Sequence, residues 1–558
     1  WNSETQSNWW DGLIRAAVQV DHPQMLQKVR EYTERILASQ DADGYLGIYA
    51  PEARFDFNRE NGELWAQACL LRGLLAWHEA SGQAAVLQAV ERAVAVTMQA
   101  CGLNGSNPFD VDQTICGPEH GLMFTDVLDR LYFLTGDVRY RDHCHGLYEA
   151  FSRGSTTERD AAMDHLLDPD YRLLGHGVHT AEHLRAVVNA AHASGDPLLE
   201  RVLAGYLQKL EPCLMPSGAL IGDEYIQQRA ADASTTGYEY CSIHELLDSY
   251  CSLLHKSGDP AWAERIEWLL FNAGQGARTN DGRAVAYCTA DNVDALMGHL
   301  DMDAPDNTPE KRFKYSPVHQ DVAVCCAPNA CRIYPYYVQN MWQRRGNALA
   351  MNLYGPSLLE TEIGGTRVRI AVETQYPFGR HLAFTVSTGA PLEMRLMLRR
   401  PTWADSIQVT GAEYEEQAGY LILSNRWEVE RHFKVLFRSQ PEVIEYRNGG
   451  RLVRYGPLLF ALPIGAEVVS GREYPEGFRD TLYRPLGDSG EALAIADGAK
   501  FVIRKQVFEE DDPWSRAVLL HGEMFDRTRG EPVAVQLVPM GATVLRRVCF
   551  SDAPVDSS

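Results

Sequence analysis

A turn that recurs four times in the first half of the chain constrains the fold more than any other feature of this sequence. It contains Ser81-Gly82, Thr135-Gly136, Ser194-Gly195 and Ser257-Gly258, so successive glycines are 54, 59 and 63 residues apart. Glycine directly after a helix adopts the left-handed conformation that caps the helix C-terminus. Each interval accommodates two helices, and the segments between the turns carry apolar residues at helical spacing. A helix pair that recurs in this way predicts a solenoid or a closed α/α toroid.

The sequence changes character after about residue 348. Short β-rich runs such as LAFTVSTG, YLILSN and PVAVQLVPMG follow one another, separated by glycine, proline and asparagine turns. This pattern is typical of antiparallel β-sandwiches. We therefore predict a multidomain α+β protein, with a helical domain at residues 1–345, a β-sandwich at 346–445 and a second β-sandwich at 446–558.

The charge of the chain narrows the classes of partner that it can bind. Asp and Glu total 75 against 52 Lys and Arg, which gives a net charge of -23. Such an acidic surface repels phosphate backbones and anionic lipids, so we expect no nucleic acid and no membrane as partner. No apolar stretch approaches the roughly 20 residues of a membrane-spanning helix. Neutral glycans and other small molecules remain as ligands.

The 12 cysteines lack the dense, regular spacing of a secreted disulfide scaffold. Most of them are expected to be small buried hydrophobic residues. The adjacent pair Cys325-Cys326 is the exception, because a disulfide between neighbouring residues has unfavourable geometry. Two adjacent thiols indicate metal or redox chemistry in a reducing compartment.

Three segments offer side chains for chemistry. Glu239 and Cys241 are two residues apart, and with Cys325 and Cys326 they provide one carboxylate and three sulfurs. Zinc accepts thiolate and carboxylate ligands in a tetrahedral set of this composition. The alternative is that Cys241 belongs to the core and that the cysteine pair is incidental. The third segment is IGDEY, in which the acidic residues at 223 and 224 precede the first segment.

The order of these segments resembles glycoside hydrolase family 127. The matching motifs are Glu239-Tyr240-Cys241, the run 267–272 (EWLLFN), Tyr287, and the run 325–329 (CCAPN), and weaker matches extend over nearly the whole chain. The resemblance implies release of β-L-arabinofuranose by an (α/α)6 barrel that is followed by β-sandwich domains. This architecture agrees with the fold predicted from the periodicity.

The resemblance also implies roles for individual residues. Glu239, Cys241, Cys325 and Cys326 would bind Zn²⁺, and Cys325 would be the nucleophile of a retaining reaction. A thiolate is the reactive form of cysteine, and a bound metal keeps it deprotonated at neutral pH. A carboxylic acid must protonate the leaving oxygen and later activate water. For that role Asp223 has the register of the family, sixteen residues before Glu239, whereas the glutamate stands one residue later.

Two further departures from the family concern the sugar pocket. Cys69 stands where the family often has a histidine, and His179 stands where it usually has an arginine. The resemblance still implies sugar hydrogen bonds from His120 and His176. It also implies that Glu267 binds a hydroxyl and that Tyr287 forms a wall or a donor. For the acid, we favour Glu224 over Asp223 because of its reach and its higher intrinsic pKa.

Together these features predict a retaining exo-glycosidase that releases a terminal β-L-arabinofuranose or a similar small sugar from plant-type glycans. The alternatives are a non-catalytic glycan-binding protein on the same fold and a carboxylate-based hydrolase or lyase on an α/α barrel. The β-rich tail could mediate a homodimer. The first residues lack a signal-peptide pattern, which favours the cytoplasm unless a signal preceded Trp1.

Overall fold

The structure of the protein is a computed structural model that describes most of the chain. The described residues are 2–57, 61–101, 106–111, 117–298, 312–318, 325–505, 513–516 and 518–552. Of the cysteines in these ranges, nine are buried and none is in a disulfide, as expected for small core residues. Cys116 and residues 553–558 at the end of the predicted third domain lie outside these ranges. The described residues contain no helix with the length and apolarity needed to span a membrane.

Helices dominate up to residue 339. They are α1 (Asn2–Gln19), α2 (Pro23–Ala38), α3 (Glu63–Ser81), α4 (Ala84–Ala100), α5 (Gly117–His120), α6 (Phe124–Thr135), α7 (Val138–Arg153), α8 (Met163–Leu167), α9 (Gly177–Ser194), α10 (Pro197–Leu210), α11 (Tyr240–Ser257), α12 (Pro260–Leu269) and α13 (Cys326–Gln339).

Six of these helices close a ring. Contacts run from α1 to α3, α6, α9, α11 and α13, and α13 returns to α1. Helices α2, α4, α7, α10 and α12 pack on the outside of this ring. The inner helices α3 and α9 are buried along most of their length, as expected for helices that have neighbours on all sides. The predicted α/α barrel is thus confirmed.

The recurring turns have the capping role that the sequence predicts. Gly82, Gly136, Gly195 and Gly258 each follow an inner helix with φ between 61° and 71°, and each amide donates to the carbonyl four residues back. The aspartates that follow three of these glycines cap the next helix by accepting a hydrogen bond from the backbone amide two residues on. Each turn therefore ends one inner helix and begins an outer one.

Buried ion pairs hold the inner helices together along the axis of the barrel. The guanidinium of Arg332 on α13 contacts Asp11 on α1 at 3.1 Å and Glu245 on α11 at 3.0 Å. Arg185 on α9 contacts the other oxygen of Glu245 at 2.6 Å. These charges are tolerated in the interior because each has partners of opposite sign on neighbouring helices.

Most of the regular structure after residue 339 is β-strand, and four short strands lie earlier in the chain. The strands are β1 (Tyr238–Glu239), β2 (Val285–Ala286), β3 (Cys288–Thr289), β4 (Tyr315–Ser316), β5 (Trp342–Arg345), β6 (Ala348–Met351), β7 (Ser357–Ile363), β8 (Thr366–Thr374), β9 (His381–Thr388), β10 (Leu392–Arg399), β11 (Ser406–Thr410), β12 (Glu415–Gln417), β13 (Tyr420–Trp427), β14 (Glu430–Arg438), β15 (Glu442–Tyr446), β16 (Gly450–Tyr455), β17 (Leu458–Pro463), β18 (Ala466–Glu473), β19 (Arg479–Pro485), β20 (Leu493–Ile495), β21 (Val502–Lys505), β22 (Leu519–Asp526), β23 (Glu531–Pro539), β24 (Arg546–Arg547) and β25 (Phe550–Asp552), and a short helix α14 spans Pro513–Arg516.

These strands form two units after the barrel. Residues 342–438 form two five-stranded sheets, with strand orders β12-β13-β10-β6-β5 and β11-β14-β9-β8-β7. The strands from β15 onward form a sheet in which β16, β25, β20, β22, β23 and β17 are linked into a closed ring, because β16 also pairs with β17. The hairpin β18–β19 leaves this sheet, and its strand β19 pairs with β4 of the barrel domain, which in turn pairs with β2.

Candidate active site

A cavity of about 300 Å³ lies at the end of the barrel where the inner helices begin. All six inner positions contribute to its wall from the first turns of a helix or from the residue before it. Among the described residues its lining consists of Glu4, Asn8, Trp65, Arg72, His120, Met123, His176, Val178, Glu182, Glu224, Tyr225, Glu239, Cys241, Glu245, Tyr287, Arg312, Cys325 and Asn329. Helix N-termini direct free amides and positive dipole ends toward such a site, which favours anionic groups there.

The four predicted metal ligands come from two neighbouring inner helices. Glu239 ends β1 and caps α11, and Cys241 is the second residue of α11. Tyr240 between them is fully buried, and its amide donates to the carbonyl of Tyr287 at 2.9 Å. Cys325 caps α13 and Cys326 is its first residue. The two motifs are more than eighty residues apart in the sequence, and they meet because α11 and α13 are adjacent in the ring.

The four side chains form one compact, buried group. Their ligand atoms all lie within 4.8 Å of one another. Sγ of Cys326 is 3.2 Å from Sγ of Cys241 and 3.9 Å from Sγ of Cys325. Oε1 of Glu239 is 3.4 Å from Cys326 and 3.5 Å from Cys325. Two sulfurs on one tetrahedral zinc ion lie about 3.8 Å apart, so the set fits a single metal ion of this kind.

The three thiols differ in their electrostatics. Hydrogen bonds from Cys241 and Cys326, together with one from Tyr287, outweigh burial and hold the pKa of Cys325 well below the ordinary range. Burial raises the pKa of Cys241 and the pKa of Cys326 well above theirs. Cys325 is thus the sulfur of the group that ionises first. It is 8% exposed and lies on the cavity wall, whereas Cys326 is 1% exposed and is not among the described lining residues.

The structure separates the two neighbouring acidic residues of the third segment. Glu224 lines the cavity, where its carboxylate contacts Arg312 and, at 3.4 Å, Nε2 of His176. Asp223 is not among the described lining residues, and its carboxylate contacts Arg229 at 2.6 Å. The two neighbouring side chains have these different surroundings at a point where the backbone is unusual, since Glu224 has φ 122°. The loop is held against α9, where the amide of Gly177 donates to the carbonyl of Glu224 at 2.7 Å.

His176 connects the two carboxylates of the site. Its Nε2 lies 3.2 Å from Oε2 of Glu239 as well as near Glu224. Burial opposes the charged form of this imidazole, but the hydrogen bonds to Glu224 and Glu239 outweigh it and raise the pKa of His176 well above its ordinary value. A charged His176 would hold both carboxylates in place. The amide of the same residue donates to Glu158 at 2.8 Å.

The remaining predicted sugar-binding residues have different positions. His120 lines the cavity, stacks on Trp65 with ring centroids 3.9 Å apart, and contacts Glu182 at 2.6 Å through Nδ1. The hydroxyl oxygen of Tyr287 lies 3.7 Å from Sγ of Cys325, so this ring forms a wall beside the thiol.

Glu267 is not among the described lining residues of the cavity, so the structure does not bring it to the site. It is fully buried at the contact between α12 and the first β-sandwich, where Arg399 contacts Oε2 at 2.5 Å. The amide of Tyr354 donates to Oε1 at 2.9 Å. Its carboxylate is engaged by the sandwich, which leaves it no access to a sugar in the cavity.

Several polar residues of the cavity belong to no motif in the sequence. Glu4, Glu182 and Arg312 are isolated residues in ordinary helical or loop sequence. Glu182 follows the glycine-histidine segment at 175–179 by three residues, which would place it about one helical turn further along α9. That spacing is the one clue in the sequence to its presence in the site.

Comparisons with known proteins relate most of the chain to one family. The family model described as the catalytic domain of GH127 β-L-arabinofuranosidase matches residues 1–339, and the model of the GH127 middle domain matches residues 348–437. The search of curated proteins found no match.

Solved structures share the fold over nearly the full chain. A GH127 β-L-arabinofuranosidase from Geobacillus stearothermophilus T6 has 19% identity and a TM-score of 0.74, with 98% of this chain and 90% of that chain covered. A structure described as a glycoside hydrolase has 17% identity and a TM-score of 0.76, with 99% and 93% covered. A GH127 β-arabinofuranosidase has 15% identity and a TM-score of 0.72, with 98% and 88% covered.

Proposed function

The chain belongs to glycoside hydrolase family 127, and from this membership we propose that it is a retaining β-L-arabinofuranosidase with Cys325 as its nucleophile. The observation that carries the proposal is the position of Cys325. Its sulfur lies on the cavity wall beside Tyr287, and Glu224 belongs to the same wall. A nucleophile and a carboxyl group that share one cavity are the two groups that a retaining glycosidase requires.

We propose that Zn²⁺ is bound by the compact group of one carboxylate and three thiols described above, which we call the sulfur group. Glu239, Cys241, Cys325 and Cys326 have the donor types and the mutual distances that zinc accepts, and they are buried from water. When bound, Zn²⁺ supplies one property, which is to keep these thiols deprotonated at neutral pH. The four ligands lie at the N-termini of two adjacent helices. Removal of any one of them should therefore weaken both metal binding and the local fold.

The reaction then follows from the positions of the protein groups. The sulfur of Cys325 attacks the anomeric carbon and displaces the aglycone, and the carboxyl of Glu224 gives its proton to the leaving oxygen. In the second half-reaction, the carboxylate of Glu224 takes a proton from water as the water oxygen attacks the anomeric carbon and breaks its bond to sulfur. His176 holds the carboxylates of Glu224 and Glu239 in position.

The decisive experiment replaces the nucleophile and a matched cysteine. Cys325→Ser should keep the fold, and its rate of hydrolysis of 4-nitrophenyl β-L-arabinofuranoside should fall by at least about 1,000-fold. The serine hydroxyl has a much higher pKa than a thiol and stays protonated, so it is a far weaker nucleophile than the thiolate. Cys331→Ser, on the exposed side of the same helix α13, is the control and should keep wild-type turnover. Circular dichroism checks the fold of both variants.

Two outcomes would contradict the proposal. Wild-type turnover in Cys325→Ser would indicate a carboxylate-based hydrolase on the same barrel. Absence of turnover in the reduced, zinc-loaded wild-type protein, with other furanosides cleaved instead, would exclude β-L-arabinofuranose as the substrate.

A further inference from the structure

A second group of metal-ligating side chains lies near the sulfur group, and two of its three members, His120 and Glu182, line the same cavity. His120, His179 and Glu182 are all buried, and their ligand atoms lie within 4.8 Å of one another. His120 comes from α5, and the other two come from successive turns of α9. We propose that these three residues bind a second divalent transition-metal ion.

His179 is arranged as a metal ligand in its present contacts. Nδ1 lies 2.7 Å from Oε2 of Glu158, so the imidazole donates from Nδ1 to that carboxylate. Its Nε2 is then the nitrogen with the free lone pair, and this atom is buried without a hydrogen-bond partner in the described part of the chain. A buried acceptor without a partner costs free energy unless something else satisfies it. Histidines that bind metals typically donate their other nitrogen to a carboxylate in this way.

His179 also stands where the resemblance to the family predicts an arginine. An arginine at this position would bring its own positive charge to the buried carboxylates of α9. The imidazole is shorter than an arginine side chain, and its buried Nε2 has no hydrogen-bond partner in the described residues. A bound cation would bring positive charge to this point of the site.

The charge of the cavity favours a second cation. Its described lining contains five glutamates and two arginines, and one of the glutamates, Glu245, is also paired with Arg185 and Arg332. The five are Glu4, Glu182, Glu224, Glu239 and Glu245. One dication at the sulfur group would offset only two of the four negative charges that three thiolates and Glu239 carry. A second dication near Glu182 would offset part of the remaining negative charge.

The present geometry indicates how the ion would enter. Nδ1 of His120 lies 2.6 Å from Oε1 of Glu182, a distance at which one proton is shared between them. Two ligands of one tetrahedral ion lie about 3.4 Å apart, so the cation would displace this proton and separate the two side chains by under 1 Å. Two imidazoles and one carboxylate with an open fourth position suit Zn²⁺ or Co²⁺.

Cobalt titration tests the proposal without any use of activity. The reduced, chelator-stripped protein is titrated with Co²⁺ under anaerobic conditions, and absorbance and bound metal are measured together. Wild-type protein should bind two equivalents. One should produce a sulfur-to-cobalt charge-transfer band in the near ultraviolet, and the other should produce only weak visible bands, because its ligands are nitrogen and oxygen.

Variants assign each equivalent to its site. His179→Gln should lose the second equivalent and keep the charge-transfer band, and the amide can still donate to Glu158. Cys326→Ser should lose the first equivalent and keep the second. His143→Gln, a buried histidine on α7 outside both groups, is the control and should bind two.

Wild-type protein that binds one equivalent would overturn the second site, and so would His179→Gln protein that still binds two. Wild-type protein that binds only the equivalent without a charge-transfer band would count against the zinc thiolate of the proposed function and leave the second site standing. The two proposals therefore fail separately.

Discussion

At the scale of single residues, the sequence alone did not decide whether Asp223 or Glu224 is the acid, and the structure favours Glu224. The register of the family favoured Asp223. In the structure, however, Glu224 has a positive φ and its own side chain lies in the cavity, whereas Asp223 contacts Arg229. No sequence pattern predicts that conformation, because non-glycine residues rarely adopt it. The sulfur ligands could be predicted because their donor types suit zinc and because the resemblance to the family assigns them to one site. Arg312 could not, because only tertiary packing brings it to the cavity, and for Glu182 the sequence offers no more than its spacing from the segment 175–179.

The acid function of Glu224 can be tested against its neighbour. Glu224→Gln should lower turnover of a substrate with a poor leaving group by about 100-fold or more, because the leaving oxygen then departs without a proton. With 4-nitrophenol as leaving group the loss in the first half-reaction should be much smaller, and added azide should restore turnover by replacing water. Asp223→Asn is the matched control and should remain within a few-fold of wild type for both substrates. Equal losses in the two variants would place the acid elsewhere.

At the scale of elements, the helical half was predictable and the pairing of strands was not. Each capping turn is a local event of a glycine and an aspartate, so the sequence alone predicts where Ser194 ends α9 and Asp196 starts α10. In contrast, the hairpin β18–β19 reaches back to Tyr315, more than 150 residues earlier in the chain. Alternation identifies a strand but contains no information on such a distant partner.

The N-termini of α11 and α13 should depend on the metal for their stability. Removal of the ion leaves Glu239 and three closely spaced thiols without their shared partner, so these first turns should open more readily. Hydrogen exchange of reduced protein should then rise at residues 238–245 and 325–330 after chelation and fall again when Zn²⁺ is returned. The outer helix α4 is the internal control and should not change. Identical exchange before and after chelation would show that no ion holds these turns.

At the scale of the whole molecule, the barrel forms the cavity, whereas the first β-sandwich packs against the outside of the barrel. In the described part of the chain, every residue that lines the cavity lies before residue 330. The first sandwich instead packs on the outside of α12 through Glu267, while Arg332 and its partners stabilise the inner ring. The general order of barrel and sheets could be predicted from periodicity. The assignment of Glu267 to the contact between domains could not, because its motif looks the same whether the glutamate faces a sugar or a sheet.

The pair of Glu267 and Arg399 should therefore affect stability and not sugar binding. Arg399→Met leaves a fully buried carboxylate without its ionic partner, which should cost about 3–5 kcal/mol of unfolding free energy and lower the melting temperature. The double variant Glu267→Gln/Arg399→Met removes both charges and should recover much of that loss. Thermal unfolding measures the stabilities, and KM for the arabinofuranoside at a temperature well below the transition should stay at the wild-type value in the folded double variant. If KM instead rises strongly while the melting temperature is unchanged, Glu267 reaches the sugar after all and the contact between barrel and sandwich must rearrange when substrate binds.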